Sequence, residues 1–397
     1  MNIIFIVVEP FTNDHFKKYG LDQIIKAGFQ IKIINVFKWL YADLIEDLPN
    51  YSSTKNAIDI RVYDVDNLKD FKLAIKPNEG NNFLVLSGIS SIRFMLAIIR
   101  MKLPYTFINN LAWGGIQDPK RKLSLVVQEF FSSPFKKVKG FLKNRLFGVL
   151  TSFYPPSINF VAKKGSHKKE ETELINHSLD YDRYLQNNLT EKPDYIPNEE
   201  YILWLPNHMW EVHDNVLNRP IIDSRITQNS YEEVINPFLD NLEEISGKKI
   251  IIAGYPNADF SENVYRQREF MIGTDTEQLV RHSKLIMGHA TGAFNFAVIH
   301  QKPIRLINFK MLDRDYRMSK IIRLYEQELS APIYYIESRD DCIKLVNDGL
   351  YEFNREAYSD YLRKYIISDE CQEIEEEYFW NRFAIFLKDN RNIVFKS

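Results

Sequence analysis

The sequence predicts an α/β fold of two doubly wound domains in series, and three observations predict it. Short, continuous apolar runs alternate with stretches of helical spacing. The alternation restarts after a polar segment, about Leu189 to Glu200, that holds Pro193 and Pro197, and 397 residues are enough for two or three cores. Apolar runs without polar interruption suit strands buried on both faces. Repeated strand-helix alternation implies parallel sheets joined by right-handed crossovers.

The elements follow in order. Asn2 to Val8 reads as a first strand, and Asn13 to Ala27 carries helical spacing that stops at Gly28. Phe29 to Ile34 and Ile58 to Tyr63 are the next strands. Phe83 to Leu86 leads through Ser87-Gly88 into a helix from about Ser90 to Lys102, and Pro104 to Ile108 returns as a strand. In the second series, Tyr201 to Leu205, Lys249 to Ile252, Leu285 to Met287, Ile304 to Ile307 and Ile333 to Ile336 are strands. Helices are expected over Ser230 to Ile245, Thr276 to His282 and Thr291 to His300. Residues 1–190 are expected to form the first domain, with a basic insertion at 119–164, and residues 198–365 the second. Residues 366–397 are expected to be a helical tail rich in aromatics (Tyr378, Phe379, Trp380, Phe383, Phe386), long enough to cross back to the first domain.

Composition removes several function classes. With 45% hydrophobic and 26% charged residues the chain is ordinary globular material, and Lys+Arg 51 against Asp+Glu 53 argues against a surface built for nucleic acid. Cys342 and Cys371 cannot supply a disulfide framework or a Cys-rich zinc site, which suits a reducing compartment. The apolar start lacks a basic flank and a cleavage site. No stretch approaches the ~20 uninterrupted apolar residues of a membrane span, so a cytoplasmic protein is expected. There is no Walker loop, no G-x-G-x-x-G and no G-x-S-x-G, which removes the main support for kinase, dinucleotide oxidoreductase and hydrolase readings.

Charge is uneven along the chain. Between Pro119 and Lys164, ten basic residues (Lys120, Arg121, Lys122, Lys136, Lys137, Lys139, Lys143, Arg145, Lys163, Lys164) face one acid, Glu129, and are interleaved with Phe and Leu. Such a mixture suits an interfacial segment on the anionic inner face of a membrane, where apolar burial and charge attraction add. The plainer reading is an insertion whose Phe and Leu pack on the domain while its lysines stay solvated.

The stretch from Thr274 to Phe309 holds a short helix, a buried strand ending at Gly288, the turn His289-Ala-Thr-Gly292, a helix, and Lys302-Pro303 opening another strand. A helix start beyond a strand's carboxyl end is a phosphate cradle in open α/β sheets. There Thr291 could add a hydroxyl and Gly292 could let a ligand approach the backbone; alternatively they only cap and turn the chain.

The pattern of acidic-Thr, Glu-x-Leu, apolar strand, small-Thr-small and Lys-Pro, over about Tyr201 to Phe309, resembles the donor half of GT-B glycosyltransferases. It is most similar to uncharacterised transferases of bacterial lipopolysaccharide and capsule clusters. The resemblance implies two Rossmann-like domains with a nucleotide-sugar donor bound by the C-terminal one and the acceptor, a growing surface glycan or lipid-linked glycan, by the N-terminal one. The donor is a substrate, and no separate cofactor and no metal are implied. Cytidine-nucleotide transferases carry a His-Pro turn together with a Ser/Thr-containing turn, so a CMP- or CDP-linked donor is expected, although Tyr255 stands here where those enzymes have His, in Ala253-Gly-Tyr-Pro-Asn257. Donor contacts are thus assigned to His208, His213, Tyr255, Asn257, Thr274, His289, Thr291 and Gly292. His208 and His213 read equally well as part of a solvated loop.

On the N-terminal side, Glu9 follows the first strand directly, with Asp14 and His15 at the start of the next helix. Sugar transfer with inversion needs a base within reach of the acceptor hydroxyl, and the loop after the first strand of an open α/β sheet faces the crevice. Glu9, Asp14 and His15 are the catalytic candidates, unless Asn13 and Asp14 merely cap the helix. Trp113-Gly-Gly115 and Asp118 form a further polar loop suited to acceptor contact. Two other functions share this scaffold: a CDP-alcohol-dependent phosphopolyol transferase, and a non-catalytic nucleotide-binding subunit of a polysaccharide assembly complex.

Overall fold

The computed structural model describes residues 1–42, 61–76, 81–89, 91–108, 134–161, 173–206, 226–254, 264–271, 275–312, 316–367, 371 and 377–395. The chain divides into two compact units. The first comprises residues 1–112, 117–176 and 377–397, the second residues 113–116 and 177–376.

The first unit is built on a five-stranded parallel sheet: β1 (Asn2–Val7), β2 (Gln30–Asn35), β3 (Val62–Asp64), β4 (Asn82–Ser87) and β5 (Tyr105–Ile108), in the order β3-β2-β1-β4-β5. β1 and β4 are the central pair, in register from Asn2 opposite Asn82 to Ile6 opposite Leu86, and their apolar residues are buried. The single helix expected over Asn13 to Ala27 is two helices, Asn13–Lys18 and Leu21–Lys26. Gly20 between them is left-handed, at φ 49°, which interrupts the helical path. A two-stranded parallel sheet, β6 (Asn159–Val161) with β7 (Glu173–Ile175), completes the unit before the tail.

That tail is the helix Phe379–Asp389, and it belongs to the first unit. Trp380 is fully buried; its Nε1 donates to the Lys18 carbonyl at 2.9 Å and its ring meets Phe5 edge-on at 5.6 Å. Asn176 Nδ2 donates to the Phe379 carbonyl at 3.2 Å, so the last residue before the second unit and the first turn of the tail are tied together.

The second unit is a six-stranded parallel sheet: β8 (Tyr201–Leu205), β9 (Lys249–Ala253), β10 (Glu269–Met271), β11 (Leu285–Gly288), β12 (Ile304–Asn308) and β13 (Ile333–Tyr335), in the order β10-β9-β8-β11-β12-β13. The long helix Gln228–Ser246 connects β8 to β9, capped at its start by Thr227 and ended by Gly247 in the left-handed region at φ 63°. The helix Leu179–Asn188, expected in the first domain, lies in the second unit. Its polar residues explain why: Arg183 pairs with Asp275 at 2.7 Å, Asn187 Nδ2 donates to Asp275 at 2.9 Å and to Glu277 at 2.5 Å, and Asp180 accepts from Asn295 at 2.6 Å. A segment so anchored cannot leave with the other unit.

Candidate active site

In each sheet the strand order reverses beside the central strand, between β1 and β4 in the first unit and between β8 and β11 in the second. Ligands of open α/β sheets bind at the carboxyl ends of such strands. Both groups of described candidates sit there.

In the first unit, β1 runs out through Glu9 and Pro10 to Thr12, which caps the helix Asn13–Lys18. Asn13 and Asp14 are not the cap. Thr12 and His15 form a capping box in which His15 takes the place usually held by Glu or Gln: the Thr12 N–H donates to His15 Nδ1 at 3.1 Å. With Nδ1 accepting, the ring proton of neutral His15 is on Nε2, which donates to Glu9 Oε1 at 3.1 Å. His15 is buried and stacks on Phe11 at 5.4 Å. Glu9 keeps 20% of its side chain exposed, and its carbonyl accepts from Asn35 Nδ2 at 3.0 Å. Beside it, the Tyr19 hydroxyl donates to Ser87 Oγ at 3.0 Å and joins the helix to the end of β4. The three candidates thus separate in role. Glu9 is the carboxylate open to solvent, His15 orients it with both ring nitrogens committed, and Asp14 is half-buried in the first helical turn, where a negative charge suits the helix dipole.

In the second unit, Gly288 ends β11 opposite Leu205 of β8. A Cβ on Gly288 would stand 2.7 Å from the Leu205 carbonyl oxygen, so only glycine lets these strands close here. His289 follows, fully buried. Its Nδ1 donates to the Ile307 carbonyl at 2.7 Å, its Nε2 accepts from the Tyr231 hydroxyl at 2.9 Å, and its ring meets Trp204 edge-on at 5.2 Å. Burial pushes its pKa down to about 4. His289 is therefore a neutral core residue, and its assignment as a donor contact is corrected: both nitrogens are spent inside the protein.

Thr291 is half-buried and Gly292 exposed. Thr291 Oγ1 accepts from the Ala293 N–H at 3.3 Å, and the Thr291 carbonyl accepts from the Tyr325 hydroxyl at 3.0 Å, which fixes the turn from below. No heavy atom lies within 4 Å of a Cβ built on Gly292, so packing does not demand glycine there and the turn opens to free space. The following helix is Phe294–Ile299, shorter than the expected Thr291 to His300. With fewer than two turns it carries little macrodipole, and the turn's own amides and hydroxyl remain as the anion-binding groups. His208, His213, Tyr255, Asn257 and Thr274 lie outside the described residues, as do Trp113, Gly115 and Asp118.

Sequence reasoning missed two groups in the second unit. The Glu-x-Leu glutamate, Glu277, is fully buried, bonded to His300 Nε2 and Asn187, so it joins three helices. Gln278 beside it is also buried, and neither Oε1 nor Nε2 of its amide has a hydrogen-bond partner. An amide in that state is costly unless something fills its valences. Its only trace in the sequence is one neutral polar side chain next to the apolar pair Leu279-Val280. Among the described residues, no three His, Cys, Asp or Glu side chains converge as metal ligands.

Two Rossmann-like units in series, each a parallel sheet with its reversal at the central strand, define the GT-B fold. No family model matches the sequence, and no curated protein matches it. Among solved structures, the chain is similar to CalG4, the calicheamicin glycosyltransferase, at 11% identity and a TM-score of 0.51, over 98% of each chain. It is similar to the wall teichoic acid polymerase TagF at 13% identity and a TM-score of 0.50, over 98% of this chain and 89% of that one. The UDP-GlcNAc 2-epimerase of Methanocaldococcus jannaschii aligns at 14% identity and a TM-score of 0.46, over 91% of this chain and 98% of that one. At such identities the likeness shows the fold alone.

Proposed function

We propose that this protein is a glycosyltransferase that moves a sugar from a nucleotide donor, of cytidine type, to a hydroxyl of a growing bacterial surface glycan. The observation that carries the reading is the Glu9–His15 pair: a partly exposed carboxylate, fixed at 3.1 Å by a buried imidazole, at the switch point of the first unit's sheet. Glu9 accepts the proton of the acceptor hydroxyl as that oxygen bonds to the anomeric carbon. The bond from that carbon to the donor phosphate breaks, and the departing nucleotide carries the electron pair. The open turn at Thr291 and Gly292 holds the phosphate through backbone amides and the Thr291 hydroxyl, a role that needs no metal. Glu9→Gln should bind the donor as wild type does and lose ~10²–10⁴-fold in turnover, the usual effect of removing a general base. Turnover should survive EDTA. Full activity of Glu9→Gln would overturn the assignment.

A second reading is favoured by the fold similarity to TagF, of which two structures are of CDPG soaks. On this scaffold a CDP-alcohol donor would give a phosphodiester instead of a glycosidic product. Phosphorus NMR of the product distinguishes the two, since only the phosphodiester retains phosphate.

A further inference from the structure

The 20-residue helix Pro134–Phe153 presents two different faces. It packs against the helix Ile92–Met101, with the Phe147 ring 6.1 Å from Phe107 of β5, and just past its end the Tyr154 hydroxyl donates to the Leu103 carbonyl at 3.2 Å. Phe147 and Leu150 are half-buried on that side. The plainer sequence reading, apolar residues packed on the domain, holds for these two. It fails for Leu142, Leu146, Val149 and Phe153, which are 48% to 80% exposed. Their spacing of four, three and four places them within about 60° of the helix circumference at 3.6 residues per turn. Four large apolar side chains in one line, all left in water, form a docking stripe.

We propose that this stripe seats the protein on an anionic lipid surface, with the helix lying along the interface. Charge identifies the occupant. The helix carries five basic residues and no acid in its sequence, in a chain whose formal net charge is only -2. Arg145 is exposed in the same turn as Leu142 and Leu146. A surface that takes up apolar side chains and carries negative charge satisfies both features at once. A second copy of this chain would set two acid-free helices of the same positive sign against each other, which disfavours self-association across this face. Among the described residues, no helix is long and apolar enough to cross a membrane, so the geometry is that of a surface helix and not a span. The proposal does not depend on the transferase reading.

Co-sedimentation of the full chain with vesicles of phosphatidylcholine, or of phosphatidylcholine with 30% phosphatidylglycerol, tests it. Binding to the anionic vesicles is expected, falling as the Debye length shortens from about 10 Å at 0.1 M salt to about 3 Å at 1 M. Leu146→Glu/Val149→Glu should lower binding at least tenfold with an unchanged circular dichroism spectrum, because both positions are solvent-exposed. Arg145→Glu, which leaves the stripe intact, should lower it as well. The proposal is overturned by binding to neither vesicle, by equal binding to both, by wild-type binding of either variant, or by a dimer that the Leu146→Glu/Val149→Glu change dissociates.

Discussion

Gly20 and Trp380 share one space: a Cβ on Gly20 would stand 2.7 Å from Cγ of the Trp380 ring. The residue that breaks the leading helix in two is thus also the bare spot on which the tail helix closes, 360 positions later in the chain.

Gly20→Ala is therefore expected to destabilise the protein by at least about 2 kcal/mol. Overpacking a filled core and placing a side chain at positive φ each cost of order 1 kcal/mol or more. Urea unfolding measures it. A loss under half a kcal/mol would mean that the tail detaches without consequence for the first unit.

On the proposed function, His15 orients Glu9 and Glu9 is the base. His15→Ala should leave the donor dissociation constant unchanged and lower kcat by roughly 10- to 100-fold, the scale of a misplaced catalytic group. Asp14→Asn should stay within a few-fold of wild type. Steady-state kinetics with both substrates separates these outcomes, and an Asp14 effect exceeding that of Glu9→Gln would exchange their roles.

The two glycines that flank the second unit's turn should behave in opposite ways. Gly288→Ala presses a methyl group against the Leu205 carbonyl and should unfold the unit or lower its stability by ~1–3 kcal/mol. A Cβ at Gly292 meets no atom within 4 Å, so Gly292→Val should fold normally, yet weaken nucleotide binding if a phosphate approaches this backbone. Isothermal titration with CMP, CDP and UDP reads the second effect; wild-type affinity in Gly292→Val would remove the turn from the site.

Burial of His289 gives stability a defined pH dependence. Its pKa is lowered from an ordinary 6.5 to about 4, so between these values the unfolded chain binds the extra proton. Its contribution is whole above pH 6.5, declines as pH falls, and is gone below about 4, amounting to roughly 3 kcal/mol at about 1.4 kcal/mol per pH unit. Urea unfolding of wild type and His289→Gln from pH 7.5 to 4.5 should show a shallower loss in the variant. Parallel curves would place the titration elsewhere.

Strand composition and order of appearance were legible in the sequence because a strand covered on both faces must be apolar throughout, and that needs no knowledge of its neighbours. Asn2–Val7, Tyr201–Leu205 and Leu285–Gly288 were all visible as such runs. So was the position of Glu9 and His15 just beyond a strand end, and the excess of cations at 119–164. Tertiary contact decided what these residues do. Nothing local distinguishes His289, whose two nitrogens are satisfied by Tyr231 and Ile307 from distant segments, from a histidine that faces a ligand. The partner that sends Leu179–Asn188 to the second unit is Asp275, some ninety residues away. The helix Pro134–Phe153 shows the same division: its sequence set the mixture of cations and apolar residues, and only its packing on Ile92–Met101 determined which apolar face was left in water. Local pattern reports which surfaces must be buried; long-range packing chooses what buries them, because hydrophobic burial is non-directional and hydrogen bonds are not.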